Sequence, residues 1–144
     1  MNRIIIQATL SISLCALAFA QAQPVNSPAD PQPTASLAER TQAIKNAHTV
    51  CIHSDTIFLT VSTLERALMK QKSWDRLDLN ILGKCEADLQ IDVDRLHFTH
   101  IHTYVVTDRR SGIVLAAGRV RAFDGVVASG PMAEQIVKVL STAR

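Results

Sequence analysis

The stretch ADLQIDVDRLHFTHIHTYVVTDRRSGIVLAAGRVRAF, residues 87–123, decides the fold. Its first third alternates strictly: Leu89, Ile91 and Val93 against Gln90, Asp92 and Asp94. Successive side chains of a strand point to opposite faces, so this is a half-buried strand with one apolar face. Past Arg95 the large residues move to even positions, at Leu96, Phe98, Tyr104 and Val106. A change of parity inside an extended run predicts a β-bulge or bend near Asp94-Arg95. Asp108-Arg109-Arg110-Ser111-Gly112 then reads as a hairpin loop, with glycine at the position that needs a left-handed backbone. Residues 113–123 are the returning strand, closed by Asp124-Gly125.

Working outward, RLDLNIL (76–82) alternates in the same way, and HTVCIHS (48–54) carries β-branched residues at 50 and 52. Between them, Ser62 and Glu65 stand at capping-box spacing. Leu64, Ala67 and Leu68 follow at helical spacing, which predicts an amphipathic helix over 63–73. Ile57, Phe58 and Leu59 are expected beneath its start, with Trp74 anchoring its end. After Gly125, Pro131 fits the first turn of a last helix, with Met132, Ile136, Val139 and Leu140 as its apolar face. LAERTQAIKNA (37–47) has helical composition but a thin apolar stripe, and predicts a short leading helix.

The resulting order is β-α-β-β-β-α behind that helix. It predicts an α/β (α+β) two-layer sandwich, with the helices packed on one side of a mixed sheet. The strands flanking the 63–73 helix can be parallel, while the long hairpin is antiparallel.

The N-terminus has its own logic. One early charge (Arg3), the apolar run IIIQATLSISLCALAFA and Ala-x-Ala sites at 18–22 predict a signal peptide over 1–22. Leu14 stands where a lipoprotein has a small residue, so Cys15 belongs to the apolar run. Residues 23–36 hold four of the five prolines, read as a linker, and 37–144 form a single domain. The run is shorter than a membrane span needs, so export to the periplasm or the exterior is expected, with no span after cleavage; the rival reading is an uncleaved N-terminal anchor. Without Arg3 the fifteen basic residues fall to fourteen against thirteen acids, which offers no nucleic-acid surface. Cys51 and Cys85 remain in a compartment that permits a disulfide. They fit either one bridge closing about 35 residues, worth about 3 kcal/mol, or two buried thiols.

Chemistry is sparse. His100 and His102, two apart in an expected strand, would share a face and suit two ligands of one divalent transition metal. A third ligand would come from His97, His53 or an aspartate, none of which the sequence places there, and no glutamate follows before Glu134. The competing reading is a stripe of flat side chains, Phe98, His100, His102 and Tyr104. Asp92 and Asp94 share a face as the solvated side of a strand should. Arg119 and Arg121 form a like pair on the returning strand, where they would face the aspartates or histidines. No nucleophile elbow and no glycine-rich phosphate loop occur.

Ala87-Asp88-Leu89, Ile91-x-Val93-Asp94-Arg95, Thr107-Asp108, Gly112-x-Val114-Leu115-Ala116-x-Gly118, Asp124-Gly125 and the closing IVKVL helix form a further pattern. Over residues 45–144 it resembles small exported bacterial α/β proteins of unknown function. More remotely it is similar to the α/β domain of CsgG-type envelope lipoproteins. The resemblance implies fold and envelope location, and carries no catalytic residue. The expectation is therefore an exported envelope binding or assembly module without catalysis or cofactor, whose partner is a protein or another envelope component. Its expected surface is the hairpin face bearing His100, His102, Tyr104, Arg119 and Arg121. The alternative is a metal-binding protein or metal-dependent hydrolase centred on His100 and His102.

Overall fold

The computed structural model describes residues 35–144. The leader expected at 1–22, and nearly all of the linker expected at 23–36, lie outside the described residues. In chain order the fold is helix α1 (Leu37–Asn46), strand β1 (Thr49–Ser54), helix α2 (Val61–Met69), a 3-10 turn (Asp75–Leu77), strands β2 (Asn80–Leu82), β3 (Leu89–Arg95), β4 (Ile101–Asp108) and β5 (Val114–Arg121), and helix α3 (Gly125–Ala143). The strands form one sheet in the order β2-β1-β3-β4-β5. β1 is parallel to β2 and β3, and β3-β4-β5 is an antiparallel meander. The α+β fold with a mixed sheet is therefore as the periodicity implied.

The sheet buries one face. Val50 and Ile52 of β1, Leu89, Ile91 and Val93 of β3, and Tyr104 and Val106 of β4 share a core with Leu64, Leu68, Met132, Ile136 and Leu140 of the helices. Burying each such aliphatic side chain contributes roughly 1.5–3 kcal/mol. The face turned away from the helices carries Asp92, Asp94, Thr103, Arg119 and Arg121, all at least partly exposed. Tyr104 lies opposite Gly118 in the β4–β5 register, and a methyl at Gly118 would come within 2.6 Å of the tyrosine ring. Only glycine lets the ring lie flat on the neighbouring strand.

The link 83–88 between β2 and β3 is far shorter than the usual parallel crossover. It suffices because β2 has three residues and the link crosses β1 on the face without helices. There Cys85 is disulfide-bonded to Cys51, which settles the cysteine alternative in favour of the bridge. Asp88 closes the same corner: its Oδ2 accepts from the backbone N–H groups of His48 (2.9 Å) and Thr49 (3.1 Å) and from the Thr49 hydroxyl (2.9 Å). Those donors, His48 first, hold the Asp88 carboxyl below its ordinary pKa.

Several local expectations are corrected. Residues 76–82 are not one strand: Asp75–Leu77 is a 3-10 turn, Asp78 is left-handed (φ 46°), and only Asn80–Leu82 pairs. Leu77 and Leu79 are both buried, so the alternation is real although the backbone is not extended. The parity change after Arg95 is a whole hairpin loop, 96–100, which adds a strand to the expected order. The meander's register shift falls instead at Val106/Thr107. The capping box belongs to Ser36 and Glu39 of α1, where both reciprocal bonds form. α2 starts from Thr60, which places Ser62 inside its first turn. α3 starts six residues before Pro131, because Asp124 caps it by accepting from the Val127 N–H at 2.8 Å. Of the expected α3 face, Met132, Ile136 and Leu140 are buried and Val139 is exposed.

Candidate binding surface

β1, β3 and β5 run in the same direction, so the segments following them, 55–60, 96–100 and 122–124, meet at one end of the sheet. Each segment is fixed by its own hydrogen bonds. Ser54 donates its hydroxyl to the Leu59 carbonyl at 2.6 Å, and the Asp55 N–H donates to the Val93 carbonyl at 3.0 Å. In the hairpin loop the Leu96 carbonyl accepts from the Thr99 hydroxyl (2.7 Å) and N–H (3.1 Å). Ala122 N–H donates to the His100 carbonyl at 2.9 Å, tying the third segment to the second.

The segments also touch through side chains. The Arg95 guanidinium lies 4.0 Å from the centroid of the Phe58 ring, a cation–π contact, while its Nε donates to the Thr99 carbonyl at 2.8 Å. His100 stacks on Phe123, with ring centroids 4.9 Å apart and planes 20° apart. Gly125, the first residue of α3, abuts the backbone of Phe58 and Leu59 so closely that no β-carbon fits.

This end is apolar. Phe98 is fully exposed, Phe123 is 79% exposed and Phe58 52%, with Ile57 at 87% and Leu96 at 44% beside them. Three of the four phenylalanines of the chain therefore face solvent here, and the fourth, Phe19, lies outside the described residues. Phe98 also has a left-handed backbone (φ 60°), unfavourable for any residue with a β-carbon. A groove of about 560 Å³ runs between residues 55–58 and 94–98. Ile57 and Phe58, expected beneath α2, form its wall, and only Leu59 of that trio enters the core.

The residues singled out in the sequence go elsewhere. His100 sits in the hairpin loop and is exposed, whereas His102 is fully buried on the helix side of β4. The expected shared face assumed one continuous strand, and the loop ends at His100. Neither ring nitrogen of His102 has a hydrogen-bond partner. Burial, then the neighbouring Arg95 charge, pushes its pKa below the ordinary histidine value, which favours the neutral ring. Tyr104 is core as well, with burial raising its pKa. It is therefore no part of an outer surface. Arg119 and Arg121 do lie on the open face, but β4 separates them from Asp92 and Asp94, and Arg119 stands opposite Thr103. The partner of Asp92 is His53, whose Nδ1 lies 3.5 Å away.

Among the described residues no group of three or more His, Cys, Asp or Glu side chains is arranged to hold a metal ion. No described helix is long and apolar enough to cross a membrane. Comparison of the chain with protein-family models, with characterised proteins and with solved structures finds no match.

The sequence reading missed the apolar end. A usable sign was present: Phe98 and Phe123 each fall within three residues of a strand end, and Phe58 four residues beyond one. Those strand ends coincide in space only once β1, β3 and β5 are known to run together.

Proposed function

We propose that this domain is an exported binding or assembly module of the cell envelope, without catalysis of its own. Its contact surface is the apolar end formed by Phe58, Phe98 and Phe123. The observation that carries the reading is their joint exposure on well-bonded segments. Large aromatic side chains favour the interior, and a contiguous exposed apolar patch marks an interaction site. Aromatic residues are also the side chains enriched at the centres of protein interfaces. The left-handed backbone at Phe98 points the same way, since strain that holds a side chain in solvent gives the fold nothing.

Export is supported by the Cys51–Cys85 disulfide together with the N-terminal pattern of one arginine, an apolar run and Ala-x-Ala sites. The non-catalytic reading is supported by the employment of the polar groups around the patch. Arg95 is stacked and hydrogen-bonded, Asp124 caps α3, and His100 is stacked on Phe123.

The test is a Phe98→Ser/Phe123→Ser variant compared with the unaltered protein as bait in a solubilised envelope fraction. The variant should keep its thermal melt and lose the partners that the unaltered protein retains. Equal retention by a folded variant refutes the reading. Cell fractionation checks export separately, and a cytoplasmic chain with reduced cysteines would contradict it.

A further inference from the structure

We infer that the apolar end is a self-association surface, and that its occupant is a second copy of this chain packed across a two-fold axis. The inference rests on the reading of that end as a contact surface, and names the partner. Two observations select a second copy.

The first is area. A fully exposed phenylalanine offers about 200 Å², and an aliphatic side chain about 100 Å² at ~25 cal/mol per Å². Weighted by their exposures, Ile57, Phe58, Leu96, Phe98 and Phe123 present roughly 600 Å² of apolar surface. That reaches the upper end of the roughly 300–600 Å² of the largest patch on a typical monomer. It approaches the ~800 Å² that each partner contributes to a standard stable interface. One copy thus supplies about three-quarters of the surface its twin requires.

The second is charge. The rim carries Asp55, Asp94 and Asp124 against Arg95 and Arg121. A rim so nearly balanced gives an anionic bilayer no net attraction, because membrane-surface segments depend on an excess of lysine and arginine. An isologous contact needs the same patch to complement itself, and a rim holding both signs can do so without net repulsion. Shape agrees: the same end carries a fully projecting Phe98 and the groove between residues 55–58 and 94–98, a knob and a hollow on one surface.

The experiment is sedimentation velocity of the full chain over roughly 1–100 µM, with the monomer mass fixed by mass spectrometry. Phe98→Asp and Arg119→Asp variants run beside it, and every sample's thermal melt is recorded. The unaltered chain should move towards twice its monomer mass as concentration rises. Phe98→Asp, whose ring touches no core residue, should remain folded and weaken association at least tenfold. Arg119→Asp, on the open face, should leave the dissociation constant within about twofold. A chain that stays monomeric throughout overturns the inference. Retained envelope partners would then still support the contact surface, and equal capture by the serine variant would dispose of both. A dimer that persists in Phe98→Asp places the contact elsewhere, for example on the free edge of β5, and overturns it too. Flotation with phosphatidylglycerol vesicles that Phe98→Asp abolishes would assign the patch to a bilayer instead.

Discussion

Replacing Phe98 by glycine should stabilise the isolated domain, although it deletes the largest side chain of the hairpin loop. Phe98 is fully exposed, so its ring contributes no buried area to the folded state. Its φ of 60° does carry a cost, because a β-carbon in the left-handed region collides with the following carbonyl. That cost is about 1–2 kcal/mol, and glycine removes it. Glycine's extra freedom in the unfolded chain returns about 0.5–1 kcal/mol. The net expectation is a gain of about 0.5–1 kcal/mol, or roughly 3–6 °C in melting temperature for a domain of this size. The assay is calorimetry at low micromolar concentration, where association does not contribute, with Phe98→Ala as reference. Alanine keeps the backbone cost and loses no burial, so its melt should stay close to that of the unaltered chain. A glycine variant that melts lower than the alanine variant would show that the loop is not left-handed at 98, or that the ring packs. Phe98 would then not be held in solvent at a cost to the fold.

Other perturbations test the frame beneath the surface. Gly118→Val should cost about 1–3 kcal/mol in urea unfolding, because its side chain enters the Tyr104 ring. Asp88→Ala removes charge-assisted bonds to His48 and Thr49, for an expected loss of about 2–3 kcal/mol. The depressed Asp88 pKa contributes stability that is present above pH 3.8 and disappears as pH falls through the folded-state value, so Asp88→Asn should flatten that acid limb. His102→Phe should leave stability unchanged or raise it by about 1–2 kcal/mol, since two unpartnered buried nitrogens vanish. With its folded pKa below 6.5, His102 makes the protein less stable as pH falls below 6.5, and the phenylalanine variant should lose that dependence. Cys85→Ser should lower stability by about 3 kcal/mol, and an unchanged melt would mean that the bridge is not formed in solution.

The parts of this molecule that could be read from sequence are those where local pattern and burial coincide. Leu89, Ile91 and Val93 alternate because one face of β3 is core, and Gly112 adopts its expected left-handed turn (φ 72°). Pattern failed where two backbone states give the same spacing. Leu77 and Leu79 reach the core two residues apart through a 3-10 turn and a left-handed Asp78, which the alternation cannot distinguish from a strand. His100 and His102 do not share a face for a related reason: i, i+2 parity holds only inside a continuous strand, and β4 begins at Ile101. The apolar end was illegible for a different cause. Phenylalanine is ordinarily a core residue, so exposure at 58, 98 and 123 is visible only after the core has been filled by others. Their convergence depends on β3 lying beside β1 rather than beside β2, a property of the sheet as a whole.

The most direct test of the contact surface is site-specific photocrosslinking in living cells. A benzophenone amino acid would be placed singly at Phe98, Phe123 and Arg119. The account predicts discrete adducts from positions 98 and 123, to a second copy or to another envelope protein, and none from 119. Adducts from 119 alone would move the contact to the open face of the sheet and contradict it.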